Sequence, residues 1–332
     1  MALKRDKSSG SMRRRACLAL IAGAAATPFA PAGADDSGAW AAWKAAFLRP
    51  EGRVVDALQQ DASHSEGQGY GMVLAALEGD ADAFASIHAW TERHLAVRRD
   101  PLLAWRSLPR GDPHVPDYNN ASDGDLFYAW ALLEGAARFD VAAYRDRAQE
   151  VARFLSTACV RPDPRDGAAR LFLPAAENFG DARRRIVNPS YIMPRAMRAL
   201  AEAFDLPDLA RAASDGLDLI AQLAREGPVP DWIEIDGRGV RPARGFAAQS
   251  GYEAMRVALY LAWSGLSDHP AVARAAADHA AVAGVETPTV FALDGQVLER
   301  SRYPGYAALA RLARCTASAE APLPSPDADQ PY

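Results

Sequence analysis

The chain has 332 residues, 49% of them hydrophobic, and a formal net charge of −5. This length and apolar content suit one large globular domain or two ordinary ones, with a sizeable core. The acidic balance makes nucleic acid and anionic membrane surfaces poor partners, so proteins that act on either are disfavoured.

Residues 1–34 have the order of a secretory signal peptide. Arg13–Arg15 precede an apolar run from Ala16 to Ala30, and small residues follow up to Ala34. The run is too short to span a bilayer comfortably, so an anchored amino-terminal helix is the less favoured alternative. We therefore expect a periplasmic or secreted protein that begins near Asp35 and does not insert into the membrane after signal removal. Both the general and the twin-arginine export routes stay open. Removing the segment takes the net charge from −5 to −10.

The sequence pattern predicts amphipathic helices over most of the mature chain, residues 35–320, which forms one domain. Apolar residues recur at three- and four-residue spacing, while alternating β-branched runs are scarce. The predicted helices cover residues 82–97, 125–139, 142–158, 190–204, 207–225, 251–265 and 271–284. The stretch from Arg161 to Asn188, rich in Pro, Gly and charge, is predicted to be a long loop with at most a short hairpin. Residues 321–332 are Pro-rich and predicted to form a disordered tail.

Some helices follow a polar turn that contains Gly, Asn or Ser. These turns are Glu66–Tyr70, Asn119–Asp125, Asn188–Tyr191 and Ser250–Glu253, at separations of 57, 65 and 65 residues. Each interval has room for one or two helical hairpins, although no sequence repeat is detectable. If the helices after polar turns form an inner ring and the others return outside, all inner amino termini point the same way. The alternation therefore predicts an all-α barrel with the polar turns at one mouth.

Three of these turns carry carboxylates, at Glu66, Asp123 and Glu253. Glycoside hydrolysis requires one carboxyl group that donates a proton and another that stays ionised, facing each other across a cleft. The glycines beside Glu66 suit a turn where bulky side chains would obstruct a substrate. In isolation each acid is better explained as a helix cap, so the prediction depends on the three together. The spacing of Cys159 and Cys315 does not match a zinc site. Two alternatives stay open for them, one disulfide bridge or two buried free thiols.

Four ordered blocks, "SEGQGYGM", "ASDGDLFYAWALLEGAARF", "NPSYIMP" and "GYEAMRV", resemble glycoside hydrolase family 8, especially its members that accompany bacterial cellulose synthase. The resemblance runs from about Trp40 to about Arg314. It implies an (α/α)6 barrel of six inner and six outer helices and an inverting endo-β-1,4-glucanase. It also implies β-1,4-glucan chains as substrate and the cellulose synthase export machinery as a partner. No metal or organic cofactor is expected, because two carboxylates and water complete the chemistry.

Carried over position by position, the resemblance makes Glu66 the proton donor. Asp123 matches the residue long labelled the nucleophile, which in an inverting enzyme holds and distorts the sugar. Glu253 falls where the family usually has an Asp that serves as the base. Side chains predicted to bind substrate are Tyr70, Trp105, Asp125, Trp130, Asn188, Tyr191, Tyr252 and Arg256. Tyr118 and Trp232 are further aromatic candidates, since sugar faces stack on flat rings.

The glutamate at 253 leaves alternatives open. An inverting site needs carboxyl groups about 6.5–9.5 Å apart, with room for a water. Glu is one methylene longer than Asp, and misplacement by about 1 Å can cost on the order of 100-fold in rate. Either the barrel has adjusted to Glu253, or another carboxylate is the base, or the protein is a low-activity or inactive glucan-binding accessory protein. Chitosan, xylan and mixed-linkage glucan are alternative substrates, because family 8 contains enzymes for each.

Overall fold

The computed structural model describes residues 36–110, 114–280 and 286–317. The predicted signal peptide and the predicted tail lie outside these ranges. Within them, no helix has the length and apolar content needed to cross a membrane. Cys159 is a buried free thiol, while the side chain of Cys315 lies outside the described residues.

Ten α-helices supply the frame of the described part of the chain. They are α1 (Asp36–Phe47), α2 (Ser65–Glu78), α3 (Ala81–His94), α4 (Ser122–Phe139), α5 (Ala142–Cys159), α6 (Pro194–Phe204), α7 (Pro207–Glu226), α8 (Met255–Trp263), α9 (Pro270–Ala280) and α10 (Pro304–Ala317). Two short 3-10 turns, Ala57–Gln59 and Pro189–Tyr191, lie in connections between helices.

Short strands form small antiparallel sheets between the helices. They are β1 (Ser63–His64), β2 (Arg106–Ser107), β3 (Val160–Pro162), β4 (Arg170–Phe172), β5 (Gly180–Asp181), β6 (Arg184–Val187), β7 (Ile233–Asp236), β8 (Gly239–Pro242), β9 (Gln249–Ser250), β10 (Thr287–Ala292) and β11 (Val297–Ser301). The pairings are β1 with β2, β3 with β4, β5–β6–β7–β8 in that order, and β9–β10–β11 in that order.

The helices form two layers. Helices α2, α4, α6 and α8 pack side by side in that order, and α10 packs against α8. Helices α3, α5, α7 and α9 each follow one of these and pack back against it. Helix α1 lies against α2. The structure thus confirms the predicted all-α barrel of inner and returning outer helices.

Burial separates the two layers as the sequence pattern indicates. Inner helix α4 is buried without interruption from Ser122 to Leu132, and a helix that is buried all round belongs in the centre of a fold. Outer helix α7 instead buries Leu209, Ala212, Ala213 and Gly216 at three- and four-residue spacing. The same stripe continues through Leu219, Ile220 and Leu223, so the helix covers the inner ring with one apolar face.

The polar segments before the inner helices differ from one another. Residues Glu66–Tyr70 are the first turns of α2, because this helix already begins at Ser65, and they are not a separate turn as predicted. Asn188–Tyr191, in contrast, is a 3-10 turn before α6, with Asn188 accepting the Ser190 N–H as its cap. Ser250–Glu253 lies ahead of α8.

The prediction of a long loop over Arg161–Asn188 is wrong. Strands β3 and β4 form a hairpin in this stretch, and β5 and β6 join β7 and β8 in a four-stranded sheet. Hairpins β7–β8 and β10–β11 were not predicted either. The four-stranded sheet leads directly to the mouth of the barrel, since β6 ends at Val187, next to Asn188.

Candidate active site

Arg256 joins the three predicted acids at the mouth of the barrel. Its guanidinium forms ion pairs with Glu66, on the first turn of α2, and with Glu253, just before α8. Its Nη1 also lies 3.8 Å from Oδ2 of Asp123, on the first turn of α4. The structure therefore brings the ends of three inner helices together around one partly buried positive charge. We call Glu66, Asp123, Glu253 and Arg256 the acid cluster.

Glu66 is held through one of its two carboxylate oxygens. Tyr70 Oη donates to Oε1 at 2.6 Å, and Arg256 donates to the same atom. The Tyr70 hydroxyl also meets the hydroxyl of Tyr260 on α8. The sequence analysis missed Tyr260, although it lies four residues after Arg256 and therefore shares a helix face with it. These contacts fix the direction of Glu66 and leave Oε2 for a transferable proton.

Asp123 is almost fully buried, with 4% of its surface exposed. Burial is the main cause that raises its pKa well above the ordinary value, and the negative charges of Glu66 and Glu253 act in the same direction. Arg256 and the Gly124 N–H, which donates to Oδ1 at 2.8 Å, oppose the shift. Three carboxylates face a single guanidinium, so the cluster favours holding at least one proton.

Glu253 is held by two hydrogen-bond donors on one carboxylate oxygen. Asn188 Nδ2 donates to Oε2 at 3.0 Å, and Arg256 donates to the same oxygen. Asp231 fixes the turn that carries this residue, because its Oδ1 accepts the N–H groups of Gly251 at 2.7 Å and Ala254 at 2.9 Å. Asp231 was missed in the sequence, where an acid after a proline carries no specific signal.

Ser190, also missed, completes this side of the site. Its hydroxyl lies 2.8 Å from Asn188 Oδ1, and Arg256 Nη2 donates to its Oγ at 3.0 Å. Ser190 stands in the block "NPSYIMP", so its position next to Asn188 was the only available signal. Together with Asn188 it sets where the Glu253 carboxylate lies.

Three predicted binding residues lie around the acid cluster. Tyr191 is partly buried, and burial, with the charges of Asp123 and Glu253, raises its pKa well above the ordinary value. Trp105 is partly exposed, its ring stacks on His64 at 5.8 Å, and its carbonyl accepts the N–H of Ser65 beside Glu66. Tyr252 is 49% exposed, next to Glu253 in the chain, and donates to Glu299 at 3.0 Å.

Two predicted binding residues do not reach the cleft. Trp130 is fully buried, and its indole N–H donates to Glu134 within the helix layer at 2.9 Å, so it has no face on which a sugar could stack. Asp125 is also fully buried and accepts the Leu103 N–H at 2.8 Å and the Asn120 side-chain amide at 2.9 Å. Burial raises its pKa to about 7. Its role is to tie the chain before α4 to the loop before β2.

The remaining aromatic candidates have separate surroundings. Tyr118 is 54% exposed in the segment before α4. Trp232 stacks between Phe179 and Phe246, with ring centroids 5.9 and 4.4 Å away. Tyr191 and Trp232 meet edge-on, with ring centroids 6.1 Å apart. A row of rings therefore runs outward from the acid cluster.

The glycines near the acids serve helix contact and not a turn, which corrects the sequence prediction. A Cβ on Gly124 would lie 2.1 Å from Ser65 Oγ and 2.8 Å from the Glu66 nitrogen. A Cβ on Gly69 would lie 2.8 Å from Phe127 Cβ. Without these glycines α2 and α4 could not approach closely enough to bring Glu66 and Asp123 together.

The side chains of the acid cluster find their countercharge in the protein itself. Over the residues that the structure describes, no group of three or more His, Cys, Asp or Glu side chains is arranged to hold a metal ion. Arg256 lies where a cation would otherwise bridge the carboxylates. The arrangement can donate a proton from one side and accept one on the other.

Comparisons with known proteins show the family of the chain. The sequence profile of glycosyl hydrolases family 8 matches residues 11–316. A probable endoglucanase of Novacetimonas hansenii is 36% identical over 233 residues, which cover 68% of this chain and 66% of that protein. An endoglucanase of Cellulomonas uda is 31% identical over 228 residues, which cover 68% of this chain and 63% of that protein. The chain thus matches slightly less than two thirds of the length of these relatives.

Solved structures show the same barrel. The endo-β-1,4-glucanase CMCax from Acetobacter xylinum superimposes with a TM-score of 0.79 at 30% identity, covering 86% of this chain and 91% of that one. Endoglucanase Cel10 from Klebsiella pneumoniae, a family 8 glycosyl hydrolase, gives a TM-score of 0.80 at 28% identity. The match covers 89% of this chain and 94% of that one. The predicted (α/α)6 architecture is confirmed by this likeness.

Proposed function

The chain belongs to the glycosyl hydrolases family 8, and from this premise we propose that it is an inverting endo-β-1,4-glucanase that hydrolyses cellulose-like β-1,4-glucan. The observation that carries the proposal is the acid cluster, in which Arg256 spans Glu66 and Glu253 at the barrel mouth. Two carboxyl groups in different surroundings, facing one opening, are the arrangement that glycoside hydrolysis needs. The names of the relatives point to the same reaction.

Glu66 is the general acid in this proposal. Tyr70 and Arg256 hold its Oε1, so the proton for the leaving oxygen is carried on Oε2. Asp123 lies beside it, near the same guanidinium, so the two carboxyl groups and Arg256 share one small site. Proton donation of this kind contributes about 100- to 10,000-fold in rate.

Glu253 is the base. Asn188 and Arg256 donate to Oε2 and stabilise its negative charge, while Oε1 takes the proton of the attacking water. The water attacks the anomeric carbon on the face opposite Glu66, which inverts the configuration. Asp123, buried between the two and close to Tyr191, positions the sugar whose bond is cleaved.

Two alternatives follow from the same residues. The protein is a slow or inactive glucan binder if the longer Glu253 cannot place a water, because its aromatic side chains would still bind sugars. Chitosan, xylan or mixed-linkage glucan is the substrate if the side chains beyond the acid cluster favour those chains. Cleavage of a panel of soluble β-glucans, xylan and chitosan separates these cases.

We also propose export to the periplasm or the cell exterior, where the protein would meet glucan chains from a cellulose synthase export machinery. The supporting observation is the order of charged, apolar and small residues before Asp35. Amino-terminal sequencing of the protein recovered from outside the cytoplasm tests this. An amino terminus still at Met1 would contradict the proposal.

The decisive experiment follows the anomeric product by proton NMR during cleavage of cello-oligosaccharides. We expect the α-anomer to appear first, since attack on a β-linkage with inversion gives that product. Glu66→Gln should lower turnover by at least about 100-fold while binding to hydroxyethylcellulose is kept. Initial release of the β-anomer, or full activity of Glu66→Gln, would overturn the mechanism.

A further inference from the structure

The four-stranded sheet β5–β6–β7–β8 carries an unusual excess of positive charge. Residues 180–187 and 232–246 contain six arginines against three acidic residues, in a chain whose net charge is −5. The arginines are Arg183, Arg184, Arg185, Arg238, Arg241 and Arg244. Surface arginines gathered on one small sheet of an acidic protein suggest a specific anionic ligand.

The two faces of this sheet have different chemistry. Val187, Ile233 and Ile235 belong to the hydrophobic core. Side chains alternate along a strand, so Glu234 lies on the other face, where the register pairs it with Arg241 and with Ile186. Trp232 shares this outer face with Glu234, because the two are two residues apart.

Glu234 organises the arginines into a fixed group. Its side chain is fully covered, and it contacts the guanidinium groups of Arg184 at 3.4 Å, Arg244 at 3.2 Å and Arg241. The three arginines themselves stay exposed by 42%, 70% and 36% for Arg184, Arg244 and Arg241. Arg241 also donates from both terminal nitrogens to Asp236, at 3.0 and 2.6 Å. Each guanidinium has five N–H donors, so the two carboxylates cannot use those of all three arginines. Arg184 and Arg244 keep donors on the outer face for a further carboxylate.

The arginine group continues the row of rings that begins at the acid cluster. Tyr191 contacts the edge of Trp232, and Trp232 stacks on Phe246, which is 37% exposed. Arg244 stands two residues before Phe246. A sugar chain that leaves the acid cluster along these rings would therefore pass the arginines within one or two sugar units.

We propose that this outer face, Phe246 with Arg184 and Arg244, is a subsite for β-glucan chains that carry carboxylate substituents. The exposed part of the Phe246 ring supports the sugar face, and the guanidinium forks of Arg184 and Arg244 bind the substituent in the two-point geometry that suits carboxylates. This inference deepens the proposed function and depends on it. It makes anionic glucan a better substrate than neutral glucan.

The test compares carboxymethylcellulose, which is anionic, with hydroxyethylcellulose, which is neutral. Arg244→Gln and Arg184→Gln should each lower kcat/KM on carboxymethylcellulose by about two- to fivefold through KM, the range expected of exposed ion pairs. Activity on hydroxyethylcellulose should not change. Arg153→Gln, an exposed arginine on outer helix α5, is the matched control and should change neither. Equal losses on both polymers, or no loss on either, would overturn the proposal.

Salt dependence gives an independent measurement. An acidic protein without a specific basic site is repelled by an anionic polymer, so added salt should strengthen binding to carboxymethylcellulose. The proposed subsite predicts the reverse, because salt screens the arginine contacts. Retardation of Glu66→Gln in native gels that contain either polymer reports binding without cleavage. If neither polymer is cleaved by the wild type, the proposed function fails, while the direction of the salt effect in the gel still decides the subsite.

Discussion

Arg256 carries the single positive charge of the acid cluster and gives each carboxyl group a different environment. Its two terminal nitrogens take Glu66 and Glu253 separately, and Asp123 is left 3.8 Å away. Glu253 therefore has a full complement of donors on one oxygen, while Asp123 is the acid whose ionisation is disfavoured most by burial. Unequal surroundings of this kind let carboxyl groups in one site take different roles.

We propose that the site has adjusted to the longer side chain of Glu253. Its Oε2 accepts from Asn188 Nδ2 at 3.0 Å and from Arg256, and an aspartate is shorter by one methylene. We expect Glu253→Asp to lower kcat by about 10- to 100-fold, and Glu253→Gln by about 100-fold or more, measured on hydroxyethylcellulose.

Glu226→Asp, at an exposed position of outer helix α7, is the control for loss of a methylene and should leave kcat unchanged. A rise in kcat for Glu253→Asp would mean that the glutamate is a degenerating substitution. Unchanged activity of Glu253→Gln would remove it as the base, and Asp123 would be the next residue to test.

Asp125 should make stability depend on pH. Burial raises its folded-state pKa to about 7, above the value of about 4 in an unfolded chain. The folded state therefore binds the proton more tightly, and this stabilisation, present below pH 4, is lost as the pH rises through 7. We expect the free energy of unfolding, from urea titrations at pH 4 to 8, to contain a fall of up to a few kcal/mol that Asp125→Asn removes. An identical pH slope in wild type and variant would contradict this.

The sequence alone identified the charged residues of the candidate site and some of those that position them, such as Tyr70 and Asn188. All of these stand in distinctive blocks. Tyr260 was missed although its spacing from Arg256 was a signal, and Asp231 was missed because it acts through a contact with a segment 20 residues away that nothing near it marks. Trp130 was misassigned because an aromatic residue within a motif looks the same whether its ring faces a cleft or the core.

Helices α2 and α4 cross most closely where glycines replace side chains, and this contact sets the distance between the first two acids. An added methyl group on Gly124 would meet the Glu66 nitrogen and Ser65 Cβ at 2.8 Å, and these atoms cannot rotate away as the Ser65 hydroxyl can. The same contact thus serves the packing of the barrel and the geometry of its mouth. Because the packing is dense, a single added methyl group would change both the stability of the barrel and the geometry of its mouth.

We expect Gly124→Ala to lower the free energy of unfolding by about 1–3 kcal/mol, the usual cost of overpacking, and to lower kcat as Glu66 and Asp123 move apart. Gly38→Ala is the matched control, because that glycine lies in helix α1 with no atom within 4 Å of the added Cβ. Its stability should stay equal or rise, since alanine favours helices over glycine by about 1 kcal/mol. Guanidinium titrations measure both variants. Equal stability of Gly124→Ala and wild type would contradict the close contact.

The ends of helices were predictable where apolar residues recur at three- and four-residue spacing without interruption. Helices α5 and α7 agree with the predictions to within one residue at each end. The hairpin β7–β8 was missed, although Ile233–Asp236 alternates apolar and acidic residues before a turn with two glycines. Four residues are too few for alternation to stand out, and the strands are stabilised by pairing with β6, which lies almost 50 residues earlier.

The barrel as a whole is closed by contacts between distant parts of the chain. The pairs Glu66–Arg256 and Tyr70–Tyr260 each join residues 190 positions apart. Individual helical hairpins, in contrast, contain only local contacts, which form early because closing a short loop costs little entropy. Formation of the helices and completion of the acid cluster are therefore separate events in folding.

We expect refolding from denaturant to recover the helical circular dichroism signal before activity. Both signals are followed after the same dilution, with activity read from hydroxyethylcellulose cleavage at set delays. The slow step is the meeting of α2 with α8, which has the largest sequence separation of the contacts at the mouth. Recovery of both signals with one rate constant would show that the ring forms in a single step.

The sequence separation of 190 residues between Glu66 and Arg256 also sets a delay during synthesis of the chain. A ribosome that adds about 5–20 residues per second needs on the order of 10–40 s to pass from one to the other. For most of that interval the growing chain contains Glu66 and Asp123 but not Arg256, which lies against both. A chain threaded across a membrane in extended form would present these residues in the same order, so its acid cluster would be complete only after Arg256 had crossed.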